Sequence, residues 1–243
     1  MTKNKNIIAL FGVEGSGKDT IGYMLRDLYD NNWKPTTLLG TLPKHVSVIL
    51  SYPKKEGYAV TSFAEPIRRA VAAMLDVPLD KIQGHGFKDE PLDYITYAVG
   101  DNIFSDKEEA LTLKEEFIRK GYCVECEELT TTPRDIIIHI AETMKEFMGD
   151  GIWSKIALNK VEKGGKVIFT DLRFKSELKE LKKRNALIVK VVCADENGDE
   201  IKGDLYQMHD FPEEEIDYII YNKKGDWSHL VKEIRRMIET LKL

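Results

Sequence analysis

The chain has few cysteines and no long apolar run. Only Cys123, Cys126 and Cys193 occur among its 243 residues, which is too few for a disulfide framework. No apolar run approaches the ~20 residues of a membrane-spanning helix. The polar start of the chain leads straight into an apolar segment and leaves no room for a signal peptide. These features predict a cytoplasmic protein with no membrane partner.

The chain also lacks an excess of basic residues. Its 36 Lys and Arg are outnumbered by 41 Asp and Glu, so the net charge is −5. This balance does not favour a long polyanion, and no nucleic-acid partner is expected. Local basic groups can still hold a small phosphorylated substrate.

Metal and nucleophile motifs are similarly scarce. Cys123 and Cys126 have the C-x-x-C spacing of half a zinc site or of a redox pair. No second pair and no nearby histidine completes a ligand set, which favours two reduced thiols. His209 lies in an acidic loop, where it either approaches a nucleotide or is solvated.

Short apolar runs of strand length alternate with helical patterns. The predicted strands are Ile7–Phe11, Tyr58–Phe63, Lys166–Thr170, Leu187–Val192 and Asp217–Tyr221. The predicted helices are Thr20–Tyr29, Pro66–Leu75, Lys107–Lys120, Arg134–Met148, Trp153–Val161, Ser176–Arg184 and Ser228–Leu241. Such alternation is typical of an α/β protein, here a three-layer α/β/α fold with a five-stranded parallel sheet.

Two segments interrupt the alternation within one domain that is predicted to span residues 1–243. Residues 31–56 contain three prolines and no clear period, which predicts an excursion at the edge of the core. Residues 76–132 include an acidic amphipathic helix and predict an inserted helical region that covers the substrate. The alternative for this insertion is a peripheral element that only packs on the core.

The most informative segment follows the first predicted strand and opens the first helix. It reads Gly12-Val13-Glu14-Gly15-Ser16-Gly17-Lys18-Asp19-Thr20. Glycines let backbone N–H groups converge on an anion, the new helix adds its positive end, and Lys18 adds a point charge for β- and γ-phosphates. The segment therefore predicts a phosphate-binding loop, or P-loop. The alternative is a tight turn of small residues.

Asp19 departs from the G-x-x-x-x-G-K-[ST] pattern, in which a hydroxyl at this position ligates Mg²⁺. Its carboxylate can hold the ion directly or through water, while Thr20 supplies a hydroxyl one residue later. Asp19 is thus the candidate metal ligand.

A second charged motif, Asp171-Leu172-Arg173, follows the third predicted strand. Ligands of open α/β sheets bind beyond the carboxyl ends of strands, so both charged side chains are expected to face the loop. An aspartate there can order Mg²⁺ or water, and an arginine can neutralise a transferring phosphoryl group. The alternatives are a helix N-cap for Asp171 and a surface ion pair between Arg173 and Glu177.

Further arginines lie at two predicted helix starts. Arg68 and Arg69 follow the second strand, and Arg68 is favoured as the clamp for an acceptor phosphate. Arg134 follows Thr132-Pro133 in the first turn of its helix. It is either a substrate contact or an ordinary exposed arginine.

In chain order these motifs resemble phage-type deoxynucleoside monophosphate kinases, which are P-loop enzymes related to adenylate and dephospho-CoA kinases. The matching elements are the loop Gly12–Thr20, Phe63-Ala64-x-Pro66-Ile67-Arg68, Thr132-Pro133-Arg134, Asp171-x-Arg173-x-x-x-Glu177 and Ile220-x-Asn222. The Gly-Lys-Asp-Thr variant is the most specific of them. After Arg134, this chain lacks the glutamine and the Leu-Gly-Thr turn that the family tends to show.

The resemblance implies transfer of the γ-phosphate of ATP to a deoxynucleoside monophosphate, with Mg²⁺, by a protein that can form a homodimer. It implies that Lys18 and the loop amides bind ATP, and that Asp19 and Thr20 organise the metal or a nearby phosphate. It places Arg68, Arg134 and Arg173 around the acceptor and transferring phosphates, and Asp171 at the floor of the site.

Two other functions stay open. The same loop and sheet can serve a kinase of another small metabolite such as dephospho-CoA, or a nucleotide-dependent regulatory switch. Three separate arginine sites favour transfer, because a transferase must neutralise two phosphate groups.

Overall fold

The computed structural model describes residues 3–30, 57–84, 86–92, 95–100, 102–159, 161, 165–195, 201 and 211–243. The chain divides into two compact units, residues 1–65 with 150–243 and residues 66–149. The predicted excursion at 31–56 and the loop that holds His209 lie outside the described residues. The prediction of a single domain over residues 1–243 stays a prediction.

The strands are, in chain order, β1 (Asn4–Phe11), β2 (Tyr58–Thr61), β3 (Ile95–Val99), β4 (Asn102–Phe104), β5 (Cys126–Thr130), β6 (Lys166–Phe169), β7 (Ala186–Ala194) and β8 (Tyr218–Lys223). The helices are α1 (Lys18–Asp30), α2 (Glu65–Met74), α3 (Leu79–Gln83), α4 (Lys107–Arg119), α5 (Pro133–Met148), α6 (Ile152–Asn159), α7 (Lys175–Lys183) and α8 (Trp227–Leu241). Each strand and helix predicted from the sequence is present, with ends that differ by a few residues.

The first unit contains a five-stranded sheet in the order β2-β6-β1-β7-β8. All of its neighbouring strands are parallel. The central strand β1 places Ile8 beside Ile168 of β6 and Leu187 of β7. This confirms the predicted five-stranded parallel sheet.

Successive residues of a strand point to opposite faces of the sheet, so a continuous apolar strand has an apolar surface on each face. Helices cover both of these faces. Ile8 and Leu10 of β1 belong to a core with residues of α1 and α8. Ile7 and Ala9 belong to a second core with residues of α6 and α7. The first unit is thus a parallel sheet flanked by helices, compatible with a three-layer α/β/α fold.

The connections after β1 and β6 determine where a ligand can bind. These neighbouring strands lead into α1 and α7, and the two helices pack on opposite faces of the sheet. Where adjacent connections diverge in this way, a crevice opens beyond the carboxyl ends of the strands. The loop at residues 12–17 and the turn at residues 170–174 both lie at this edge.

The second unit contains a three-stranded antiparallel sheet in the order β4-β3-β5, together with helices. The inserted region at 76–132, predicted to be helical, thus contains a sheet as well as the helices α3 and α4, and the prediction is wrong in leaving out the sheet. β4 has only three residues, and four of the five residues of β5 are exposed, so these two strands show no apolar alternation. The signal that could have revealed them is the Gly-Asp dipeptide between β3 and β4, where Gly100 has a φ of 59°.

Among the described residues, no helix is long and apolar enough to cross a membrane. The same part of the chain contains no group of three or more His, Cys, Asp or Glu side chains that could hold a metal ion. All three cysteines are free, and Cys193 is buried.

Candidate functional site

The segment at residues 12–17, the glycine loop, joins β1 to α1. Gly12, Gly15 and Gly17 have φ values of 154°, 74° and 93°. A Cβ on Gly12 would lie 2.2 Å from the carbonyl oxygen of Val191, and one on Gly17 would lie 2.7 Å from Nδ2 of Asn222. Both positions therefore favour glycine for backbone conformation. At Gly12 the space also excludes a side chain, whereas at Gly17 a Cβ would have to displace the side-chain amide of Asn222.

Lys18 begins α1 and curves back over the glycine loop. Its Nζ donates hydrogen bonds to the carbonyl oxygens of Gly12 at 2.9 Å and Val13 at 2.7 Å. A longer contact of 3.4 Å joins the same atom to Oγ of Ser16. The ammonium group is thus held against the loop, at the positive end of a helix.

The charges around Lys18 come from both sides of the crevice. Burial lowers the pKa of Lys18, and the positive charge of Arg173 lowers it further. The carboxylates of Asp19, Asp171 and Glu14 raise it, in that order of size. Lys18 and Arg173 are therefore close enough to repel each other, as the prediction that Arg173 faces the loop requires.

Asp19 links the start of α1 to the end of β6. Its Oδ1 accepts a hydrogen bond from the hydroxyl of Thr170, which is buried. Asp19 itself is exposed, and Thr20 beside it is half-buried. Carboxylate and hydroxyl oxygens are the ligand types that Mg²⁺ prefers, so this pair fits a hard cation.

Asp171 joins the carboxyl ends of β6 and β2. Its carboxylate accepts hydrogen bonds from the backbone N–H of Phe63 at 2.7 Å and of Ala64 at 3.4 Å. The N-cap of α7 is Phe174, so the alternative of Asp171 as a helix cap is wrong. The aspartate instead fixes the chain between β2 and α2.

Arg173 and Glu177 do not form the surface ion pair that their spacing allows. Within the described residues, Glu177 Oε2 accepts from the backbone N–H of Arg173 at 2.8 Å and of Phe174 at 3.0 Å. Glu177 is only 6% exposed, whereas Arg173 is exposed. Burial raises the pKa of Glu177 to about 8, and the charge of Asp171 raises it in addition. The backbone hydrogen bonds and the charge of Arg173 act in the opposite direction.

A cavity of about 180 Å³ lies beside the glycine loop. Gly15, Gly17 and Thr20 form one part of its lining. The remainder comes from the ends of β7 and β8 and the start of α8, namely Cys193, Asn222, Lys223, Lys224, Gly225, Asp226, Trp227 and Leu230. A thiol, an indole and an isobutyl group thus stand next to the predicted phosphate site.

Asn222 connects this cavity to the loop. Its Nδ2 donates a hydrogen bond of 2.8 Å to the carbonyl oxygen of Ser16. Among the lining residues that follow α1 in the chain, only Asn222 belongs to a motif that the sequence singled out, the last of the matching motifs. The same signal that pointed to Asp171, a position at the carboxyl end of a strand, also applies to Cys193 and to the residues after β8.

The other predicted arginines belong to the second unit. Arg134 lies in the first turn of α5, where Pro133 precedes it, and Nε and Nη2 donate to the two carboxylate oxygens of Asp89. Arg68 and Arg69 lie near the start of α2, and Arg68 is the more buried of the two. The structure thus brings Lys18, Asp19, Asp171 and Arg173 together in the first unit, and it describes Arg68 and Arg134 in the second.

No protein-family model and no curated protein sequence matches the chain. The resemblance to phage-type deoxynucleoside monophosphate kinases therefore stays a prediction, and the function is argued from the chemistry of the site.

Proposed function

We propose that the chain is a P-loop phosphotransferase, an ATP-dependent deoxynucleoside monophosphate kinase that forms the corresponding diphosphate. The observation that carries the proposal is the pair of cations at the crevice. Lys18 begins α1 directly after the glycine loop, Arg173 stands on the turn after β6, and the charge of Arg173 lowers the pKa of Lys18. A polyanion bound beside both would relieve this repulsion, which favours a phosphate chain as the ligand.

The glycine loop fits the donor phosphates. The N–H groups in the first turn of a helix have no partner within the helix, and α1 begins at Lys18 directly after the loop. Lys18 now bonds to two loop carbonyl oxygens, and phosphate oxygens can take their place as acceptors. Gly12, Gly15 and Gly17 have positive φ values, which glycine adopts readily. Because glycine has no side chain, the N–H groups of the loop backbone stay accessible to an anion.

The cavity beside the loop fits the nucleoside of the donor. Leu230 and Cys193 supply apolar surface, and Trp227 supplies an aromatic face against which a base can stack. Because Gly15 and Gly17 line the same cavity, one ligand can occupy the cavity and the glycine loop at once.

Asp19 and Thr20 are the residues that would hold Mg²⁺ together with phosphate oxygens. The ion would neutralise charge on the β- and γ-phosphates. The hydrogen bond from Thr170 orients the Asp19 carboxylate before any ligand binds.

The reaction requires positioning and charge more than a strong nucleophile. An oxygen of the acceptor phosphate forms a bond to the γ-phosphorus as the bond from that atom to the bridging oxygen of ADP breaks, and ADP leaves with the electron pair. The acceptor phosphate is already anionic, so no general base is needed. Arg173 would stabilise charge on the transferring group, and Asp171 holds the floor of the site. The assignment of Arg68 and Arg134 to the acceptor phosphate rests on the resemblance.

A coupled assay of ADP release tests the proposal. The reaction contains ATP, Mg²⁺ and one member of a panel of deoxynucleoside monophosphates, nucleoside monophosphates and dephospho-CoA. We expect release that depends on a deoxynucleoside monophosphate. Release only with another acceptor would indicate a different small-molecule kinase, and slow release without any acceptor would indicate a regulatory switch.

Lys18→Ala supplies the internal test of the same assay. The variant is expected to fold and to lose turnover, because the Lys18 ammonium group is held against the loop that is proposed to bind the donor phosphates. Lys179→Ala is the matched control, since Lys179 is an exposed lysine on α7 of the same unit. Near-normal turnover by Lys18→Ala would refute the assignment of the loop.

A further inference from the structure

Glu177 is a buried acidic side chain next to the proposed phosphate site, and the reaction described above does not use it. It lies in the first turn of α7 and is 6% exposed. One of its oxygens, Oε2, accepts both the Arg173 N–H and the Phe174 N–H. The side chain thus acts on the backbone that carries Arg173.

The turn that holds Arg173 is fixed on its other side as well. Leu172 is 3% exposed, and its N–H donates a hydrogen bond of 3.2 Å to the carbonyl oxygen of Leu10 in β1. Arg173 therefore stands between a residue bonded to the central strand and a residue bonded to Glu177. A long side chain that starts from a fixed backbone loses less conformational freedom when it reaches its substrate.

We propose that Glu177 is a positioning residue for phosphoryl transfer: its carboxyl group fixes the Arg173 backbone so that the guanidinium group meets the transferring phosphoryl group. The inference rests on the proposed function and extends it to a residue that contacts no substrate. Transfer is sensitive to such placement, because a displacement of about 1 Å can lower a rate by on the order of 100-fold.

The bonding predicts which substitutions matter. Oε2 serves only as an acceptor in both hydrogen bonds, so the amide oxygen of glutamine can replace it. Alanine removes the acceptor and leaves a cavity, whereas methionine fills most of the volume and still removes the acceptor. Comparison of Glu177→Gln, Glu177→Ala and Glu177→Met therefore separates the hydrogen bonds from packing.

Steady-state kinetics of these variants test the inference. We expect Glu177→Ala and Glu177→Met to lower kcat by about 10- to 100-fold with little change in the KM for ATP, and Glu177→Gln to stay within about twofold of the wild type. In an Arg173→Ala background, loss of Glu177 is expected to lower kcat hardly any further. Glu177 acts through Arg173, so the two substitutions remove the same interaction with the transferring phosphoryl group. The inference would be overturned if substitution of Glu177 lowered kcat by the same factor in Arg173→Ala as in the wild type. It would also be overturned if Glu177→Gln lost kcat as Glu177→Ala does.

Asp217→Ala is the matched control. Asp217 precedes β8, at the opposite end of the parallel strands from the glycine loop, and its Oδ2 likewise accepts a backbone N–H, that of Ile188 at 2.8 Å. The control loses the same kind of bond away from the site and is expected to keep kcat. A loss of kcat in Asp217→Ala equal to that in Glu177→Ala would show a general effect of losing a carboxylate that holds the backbone, which contradicts a specific role.

Amide hydrogen exchange gives a readout that does not depend on turnover. Exchange at Arg173 and Phe174 is expected to be faster in Glu177→Met than in the wild type and unchanged in Glu177→Gln. Unchanged exchange in Glu177→Met would overturn the inference even in an active enzyme. Absence of phosphoryl transfer by the wild type would instead refute the proposed function, so the two failures are distinguishable.

Discussion

Replacing Glu177 with glutamine is expected to change how the stability of the protein depends on pH. Burial and the charge of Asp171 raise the pKa of Glu177 from its ordinary 4.5 to about 8 in the folded protein. The folded state then binds this proton more tightly than the unfolded chain does. The resulting stabilisation is complete below about pH 4.5 and is lost as the pH rises through 8.

The size of the effect follows from the two pKa values. A difference of one pKa unit corresponds to about 1.4 kcal/mol, so the shift from 4.5 to about 8 amounts to about 5 kcal/mol. This is a large fraction of the free energy of unfolding of a typical domain. Glutamine keeps the two backbone hydrogen bonds but cannot ionise, so its variant lacks this part of the pH dependence.

Urea unfolding followed by far-UV circular dichroism at pH 5, 7 and 9 measures the effect. Relative to Glu177→Gln, the wild type is expected to lose unfolding free energy steadily between pH 5 and pH 8. Glu180→Gln on the same helix is the control. Its hydrogen bond with Lys183 lowers the pKa of Glu180, so its contribution is lost only as the pH falls below 4.5. Parallel stability profiles for the wild type and Glu177→Gln from pH 5 to pH 9 would refute the reasoning.

Three further predictions concern the nucleotide. Gly17→Ala is expected to weaken equilibrium binding of ATP by about 10-fold or more, because the new Cβ would lie 2.7 Å from the side-chain amide of Asn222 at a positive φ. Gly121→Ala is the control and should bind ATP normally, since Gly121 has a similar φ but no heavy atom within 4 Å of the new Cβ. In calorimetry, Trp227→Ala is expected to weaken ATP binding by about 1–3 kcal/mol, because the base loses its stacking partner, and to leave binding of inorganic tripolyphosphate unchanged. Equal losses for both ligands would exclude a base at Trp227. Arg173→Ala should lower kcat by about 100-fold or more with a smaller effect on ATP affinity, and an effect confined to KM would mean that the arginine only binds.

The sequence was sufficient for the parallel sheet because its three central strands are buried on both faces and therefore appear as continuous apolar runs, as Ile7–Phe11 does. It failed for the second sheet, since strands such as Cys126–Thr130 are short and mostly exposed. Apolar periodicity carries no information about such strands.

The candidate site was predictable where a motif dictates local geometry. Gly12 and Gly17 occupy positions that favour glycine, and Lys18 follows from the same motif. The role of Asp171 depends on a contact with Phe63, more than a hundred residues away, so the sequence left a helix cap open as an alternative. It likewise left open an ion pair of Glu177 with the Arg173 side chain, because spacing along a helix does not distinguish a side-chain partner from a backbone partner.

The most direct test of the central claim follows the γ-phosphorus itself. The protein is mixed in excess with ATP labelled in its γ-phosphate, Mg²⁺ and a deoxynucleoside monophosphate, and the products of a single turnover are separated. The account predicts that the label appears in the deoxynucleoside diphosphate, and that Lys18→Ala forms none of this product. Label that appears only as inorganic phosphate, or that stays in ATP with every monophosphate tested, would contradict it.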